Sequence, residues 1–112
     1  MTDRELLELA AKAAGIEYDF CRPELGGCQI RKPFVSGFWN PLTDDGDALR
    51  LAVKLGLREY FVIEIQKTCS QATVFEPFEH CEYEEFKDQD PYAATRRAIT
   101  RAAAQIGKAK CE

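Results

Sequence analysis

Apolar residues recur at helical spacing in three stretches of the chain, residues 2–15, 44–56 and 90–107. Each stretch opens on a residue that caps helices well and closes on a glycine, so the pattern predicts three amphipathic helices. The predicted N-caps are Thr2, Asp44 and Asp90, and the glycines expected to end the helices are Gly15, Gly56 and Gly107. The apolar stripe of the first predicted helix is Leu6, Leu9, Ala10 and Ala13, and that of the second, which is expected to be buried, is Ala48, Leu51, Ala52 and Leu55. One face of the third consists of Tyr92, Thr95, Ile99, Ala102 and Ile106.

Between the predicted helices, apolar and polar residues alternate with a period of two, which indicates strands. Residues 16–31 read as a hairpin, because alternating residues flank a segment rich in proline and glycine. Residues 57–67 contain the strongest strand, and their β-branched and aromatic content favours a central position in a sheet. Residues 71–76 and 80–86 are weaker candidates, one of them expected at an edge. Residues 32–42 are predicted to form a loop that packs on the core.

The order of these elements predicts one α+β domain spanning residues 1–112. We expect helix, hairpin, helix, two or more strands and helix, with three helices covering a small sheet. The sheet should be antiparallel or mixed, since the hairpin segments are too short for parallel crossovers.

The charge balance narrows the range of partners. The net charge is −4, whereas a general binder of nucleic acid or anionic membranes is normally basic. No apolar run approaches the roughly 20 residues that cross a bilayer, and the chain opens directly into a charged helix. We therefore expect a cytoplasmic protein. The five cysteines, an odd number, fit reduced thiols better than a disulfide framework.

Five residues could hold a metal or act as nucleophiles: Cys21, Cys28, Cys69, His80 and Cys81. Their spacing lacks the tight C-x₂₋₄-C pairs of structural zinc sites, so buried apolar cysteines or reduced surface thiols are the favoured interpretation. A Cys–His nucleophilic pair would also need a third, orienting group. We expect no cofactor and no catalytic activity, and the sequence leaves metal binding open.

A group of acidic residues, Asp44, Asp45 and Asp47, opens the second predicted helix. Carboxylates at this density could bind Ca²⁺ or Mg²⁺, but the further ligands of an EF-hand loop are missing. Acids at a helix N-terminus are favoured by capping and by the helix dipole. The capping interpretation is the stronger one.

Two sets of residues are candidates for binding a partner or a ligand. The aromatic residues Phe34, Phe38 and Trp39 either brace the core or contact a protein partner. The charges of residues 76–101 either pair with one another or form a dipolar surface that steers a charged partner. The candidate residues are Phe34, Phe38, Trp39, Glu82, Glu84, Glu85, Arg96, Arg97 and Arg101.

Three stretches carry a resemblance to a known family. They are M-T-D-R-E-L-L-E-L-A-A-K-A-A-G-I (1–16), W-N-P-L-x-D-D-G-D-A-L-R-L-A-V-K-L (39–55) and D-P-Y-A-A-T-R-R-A-I-x-R-A-A-A-x-I-G (90–107). In this order they resemble the phage ABA sandwich domain family. The resemblance implies an α/β/α-type sandwich and a phage or prophage origin. The resemblance implies no catalytic residues.

These observations favour a phage- or prophage-encoded binding protein without catalytic activity, acting in the host cytoplasm as an inhibitor or decoy of a host protein, conceivably in antiviral defence. The alternative from another class is a small-ligand binder that sequesters a nucleotide signal, with Arg96, Arg97 and Arg101 against the phosphates. A third hypothesis is a metal-dependent or thiol hydrolase. A sheet edge also makes a homodimer a reasonable expectation.

Overall fold

A computed structural model describes most of the chain, in the ranges 2–16, 18–19, 28–30, 38–58, 60–75 and 78–111. The elements are α1 (Asp3–Ala14), β1 (Tyr18–Asp19), β2 (Cys28–Ile30), β3 (Phe38–Trp39), α2 (Asp45–Arg58), β4 (Phe61–Ile65), β5 (Cys69–Val74), β6 (His80–Glu85) and α3 (Pro91–Cys111). The α+β class is confirmed, with helices that pack on an antiparallel sheet. The predicted order of helices and strands is confirmed as well.

The helix starts follow the capping signals in the sequence. The Thr2 side chain accepts a hydrogen bond from the Glu5 amide at 3.2 Å. The amide of Asp47 donates to Asp44 Oδ2 at 2.8 Å, which places Asp44 at the N-cap of α2 and confirms the capping interpretation of the acidic group. The amide of Tyr92 donates to the carboxylate of the capping Asp90 at 3.1 Å.

Only one of the three glycines ends its helix as predicted. Gly15 has φ 71° and forms the left-handed C-cap of α1. The other two predictions were wrong, because α2 continues through Gly56 to Arg58 and α3 continues through Gly107 to Cys111. Neither glycine has a positive φ, so neither turns the chain out of its helix.

Gly107 allows α3 to approach α1 closely. A Cβ built on Gly107 would lie 1.9 Å from the carbonyl oxygen of Leu9 and 2.7 Å from its carbonyl carbon. Real Cβ atoms essentially never come within 3.0 Å of such atoms. Nine alanines of these two helices are at most 1% exposed: Ala10, Ala11, Ala13, Ala14, Ala94, Ala98, Ala102, Ala103 and Ala104.

The described strands form two antiparallel sheets of three strands each. In the first, Tyr18 pairs with Ile30 and Cys28 pairs with Trp39. The pairing of β1 with β2 agrees with the predicted hairpin, whose turn lies outside the described residues. Strand β3 was not predicted, since residues 32–42 were expected to form a loop.

The second sheet has the order β4–β5–β6. The prediction that residues 57–67 form a central strand was wrong, because β5 is central and β4 is at an edge of the described sheet. Short connections place consecutive antiparallel strands side by side, so the middle strand in sequence is the middle strand in space. The prediction that one of the two weaker strands lies at an edge is confirmed by β6.

The β4–β6 sheet has one covered and one exposed face. Helix α3 packs on β5 and β6, α2 packs on β4 and α3, and α1 packs on α3. We call the face toward these helices the inner face, where Ala72 and Val74 are fully buried. The other face, which we call the outer face, carries the alternate residues of each strand and is largely exposed to solvent.

Candidate functional site

The aromatic residues predicted to contact a partner divide between the core and the part of the chain that is not described. Trp39 is 3% exposed and belongs to the hydrophobic core with Leu42 and Leu51. This supports the alternative that Trp39 braces the core. The prediction that its side chain contacts a partner directly was wrong. Phe34 lies outside the described residues, and so does the side chain of Phe38.

Two of the three candidate arginines hold parts of the fold together. Arg96 donates through Nε to the carbonyl oxygen of Leu42 at 2.9 Å and through Nη1 to Asp45 at 2.6 Å, so it ties the loop before α2 to α3. The guanidinium of Arg97 lies 3.3 Å from Asp3 at the start of α1. Their charges are directed at separate carboxylates and do not converge on a shared pocket.

The third arginine, Arg101, lies between two carboxylates of β6. Its Nε is 2.9 Å from Glu82 and its Nη1 is 2.5 Å from Glu84. Glu82 is 8% exposed and also hydrogen-bonds His80. Glu82 and Glu84 therefore pair with α3, as one of the two predicted alternatives has it. Glu85 does not take part in this pairing and is exposed on the outer face.

A small cavity of about 210 Å³ adjoins this charged cluster. Leu6, Arg97 and Gln105 line it together with Glu82 and Arg101. Every buried side-chain nitrogen and oxygen of the described residues has a hydrogen-bond partner. The buried polar atoms of the cluster therefore all have hydrogen-bond partners within the protein.

Among the described residues, the candidate thiol and imidazole groups do not converge. His80 and Cys81 are neighbours on β6, so their side chains point to opposite faces of the sheet. Cys69 is buried and Cys81 is exposed. Within the described residues, no three His, Cys, Asp or Glu side chains are arranged to hold a metal ion. Cys21 and the side chain of Cys28 lie outside the described residues.

The outer face of the β4–β6 sheet carries exposed aromatic residues that the sequence reasoning did not select. Tyr60 is 62% exposed, Phe75 is 43% exposed and Tyr83 is 45% exposed. The rings of Tyr60 and Phe75 meet edge to face with centroids 5.2 Å apart. Val62 lies on the same side of β4 and is 36% exposed. The signal in the sequence was the alternation in residues 57–67, which places Tyr60 and Val62 opposite the core-facing residues.

The outer face has a polar centre and a charged margin. Thr73 and Gln71 occupy β5 between the aromatic residues, and Glu64 and Glu85 are exposed at the margin. A cleft of about 400 Å³ opens beside Tyr83. It is lined by Tyr83, Glu85 and Phe86 with Lys67, Thr68 and Lys87. A hydrogen bond with the Cys69 side chain raises the pKa of Tyr83 above its ordinary 10.0, so its phenol is a neutral hydrogen-bonding group.

A second apolar surface runs along α2 and β4. Leu49, Val53 and Leu57 are 64%, 54% and 84% exposed, although helix residues of this type are usually buried. At one end of this surface, a groove of about 500 Å³ opens between α2, β4 and α3. Apolar residues make up most of its lining: Ala48, Leu49, Ile63, Ile65, Phe86, Pro91, Tyr92 and Ile99, with Asp45, Thr95 and Arg96.

Comparisons with known proteins yielded no match among protein-family models, curated proteins or solved structures. Among the described helices, none combines the length and apolar character that crossing a membrane requires. The geometry of the described residues is therefore the basis for a functional proposal.

Proposed function

We propose that this protein acts by binding another protein through the outer face of the β4–β6 sheet, without catalysing a reaction. The observation that carries this proposal is the exposure of Tyr60, Phe75 and Tyr83 on one solvent-facing side of a rigid sheet. Exposed aromatic side chains that are held in place lose little conformational entropy on binding, and they are enriched at the centres of protein interfaces.

The shape of this face suits a protein better than a small molecule. Antiparallel sheets often leave one face in water, but that face normally carries polar residues in alternation. Here the aromatic residues surround Thr73 and Gln71, and the cleft beside Tyr83 offers space for an anchoring side chain of the partner. A matching partner would present apolar side chains to the aromatic residues and basic groups to Glu64 and Glu85.

The nucleotide-binding alternative has less support. Phosphate recognition needs arginines whose hydrogen-bond donors are available, and Arg96, Arg97 and Arg101 are all directed at carboxylates. A nucleotide would have to displace Glu82 and Glu84 from Arg101, which would leave two nearly buried carboxylates without a cation.

The resemblance to the phage ABA sandwich domain family suggests where to look for the partner. It favours a bacterial host protein, with the present chain acting in the host cytoplasm as an inhibitor or decoy, conceivably in antiviral defence. No family model matches the chain, so this part of the proposal rests on the three quoted sequence stretches.

The experiment compares three variants as baits in host lysate and then with the purified partner. Phe75→Ala and Tyr83→Ala remove aromatic rings from the outer face, and Tyr92→Ala removes a more exposed tyrosine from the start of α3. We expect the wild-type protein and Tyr92→Ala to retain one stoichiometric partner. Each outer-face variant should weaken the purified complex by roughly 30-fold or more, as truncating a hot-spot residue does.

Two results would contradict the proposal. One is a partner whose affinity is unchanged by both outer-face variants. The other is measurable turnover of a small molecule by a protein that retains no partner. Circular dichroism spectra of all three variants must match that of the wild type, so that a loss of binding reports the removed side chain.

A further inference from the structure

Helix α2 carries a second apolar stripe that the fold does not bury. Ala48, Leu51, Ala52 and Leu55 face the core, whereas Leu49, Val53 and Leu57 follow one another at four-residue spacing on an exposed side. A single helix with two apolar stripes is typical of a helix buried between two bodies. Leu49 lines the groove together with Ile63 and Ile65, so the exposed stripe begins beside β4.

Strand β4 lies beside this stripe with one edge that no described strand pairs with. Its hydrogen bonds to β5 use alternate residues, since Phe75 N donates to Tyr60 O at 2.8 Å and Gln66 N donates to Cys69 O at 2.9 Å. In an antiparallel ladder the residues between those pairs direct their backbone groups the other way. The N–H and C=O groups of residues 61, 63 and 65 therefore point to the open edge.

We propose that this edge and the α2 stripe together bind a second copy of this chain in a symmetric dimer. A two-fold axis through Ile63 pairs β4 with its copy in antiparallel orientation, with Phe61 opposite Ile65 and Ile63 opposite itself. The N–H and C=O groups of residues 61, 63 and 65 then form hydrogen bonds with the C=O and N–H groups of the same three residues in the second copy. The two sheets join into one sheet of six strands.

The side chains agree with this register. Within β4, the opposed residues of the inner face are all apolar, and on the outer face Glu64 lies opposite Val62, so no like charges face each other along the strand. The two α2 helices then cross near the same axis, with Val53 at the centre and Leu57 opposite Leu49. Leu57, which is 84% exposed, thereby reaches the partner's groove beside Leu49 and Ile65.

The area is sufficient for a stable dimer. From the exposed fractions of Leu49, Val53, Leu57, Ile65 and Tyr92, the apolar surface available is roughly 500 Å² per protomer. Two protomers contribute about 1,000 Å² before the β4 backbone is added, close to the ~1,200 Å² at which specific interfaces begin. An apolar area of this size is in the upper part of the range of about 300–600 Å² for the largest patch of a typical monomer, and such patches often mark an interaction site.

Sedimentation equilibrium over a concentration series tests the dimer. The wild type should shift from the 12.7 kDa monomer to twice that mass. Val53→Glu places two carboxylates at the axis, and it should raise the dissociation constant by roughly 100-fold or more. Glutamate favours a helix more than valine does, so this variant should fold. The matched control, Phe75→Glu, introduces the same charge on the outer face and should leave the dimer intact.

Amide hydrogen exchange distinguishes the proposed pairing from other dimers. The amides of residues 61, 63 and 65 should become protected as the protein concentration rises, and Val53→Glu should remove that protection. A monomer mass up to about 1 mM would overturn the inference, as would a dimer that Val53→Glu leaves unchanged or one in which these three amides stay unprotected. The dimer and the partner-binding proposal concern different surfaces, so Val53→Glu and Phe75→Glu report on each independently.

Discussion

Substituting alanine for Gly107 tests the closest helix contact in the structure. The added Cβ would lie 1.9 Å from the Leu9 carbonyl oxygen, against a lower limit of 3.0 Å in real proteins. The opposing atoms belong to the backbone of α1 and cannot rotate away. Helices α1 and α3 would have to separate locally by at least about 1 Å, the difference between these two distances.

The expected loss of stability follows from two opposing effects. Overpacking of this kind costs about 1–3 kcal/mol and sometimes more, and a gap of about 1 Å also weakens the dispersion contacts between the alanines of the two helices. Alanine favours a helix over glycine by about 1 kcal/mol, which offsets part of this cost. Because the clash is with backbone, the cost should lie at the upper end of that range. We therefore expect Gly107→Ala to lower the free energy of unfolding by about 2 kcal/mol, which corresponds to a fall in Tm of roughly 8 °C.

Gly56→Ala is the matched control, because it makes the same substitution within α2. A Cβ at Gly56 meets nothing within 4 Å, so only the gain in helix propensity applies. This variant should be more stable than the wild type by about 0.5–1 kcal/mol. Urea unfolding followed by circular dichroism measures both variants. Equal or greater stability of Gly107→Ala would refute the close approach of the two helices.

Two further predictions concern charged and titrating groups. Arg101→Met removes the guanidinium that pairs with two nearly buried carboxylates. Because Arg101 is itself 41% exposed and Glu82 keeps its hydrogen bond with His80, we expect a loss of about 2 kcal/mol. Arg97→Met breaks a pair with an exposed carboxylate and should cost less than about 1 kcal/mol, and equal losses in urea unfolding would contradict this account. The hydrogen bond with Cys69 raises the pKa of Tyr83, so the stability it confers is present below pH 10 and is lost as the pH rises through the folded-state value. Tyr83→Phe should therefore lose less stability than the wild type on alkaline titration, and parallel losses would count against the raised pKa.

Local signals in the sequence were sufficient for the helix starts, for most of the strands and for the fold class. Thr2, Asp44 and Asp90 each satisfy an amide of their own helix within three residues. Capping depends on neighbours in sequence, so a single chain reveals it. The same holds for the alternation along β4, which placed Tyr60 and Ile63 on opposite faces.

The candidate binding residues were harder to predict, because exposure depends on what packs above each side chain. Trp39 and Phe75 are both aromatic, yet one is in the core and the other is on the outer face. The charges of Glu82 and Arg101 are widely separated in sequence, and only the packing of α3 on β6 brings them together.

The sequence by itself determined the helices, their starts, most of the strand segments and the α+β class, because capping, helical periodicity and alternation all act between residues a few positions apart. The tertiary structure alone decided which strand is central, that Gly107 is a contact site inside a helix, and which apolar residues remain exposed. Those features depend on the positions of elements far apart in sequence, and the same apolar residue type is buried or exposed according to whether another element covers it.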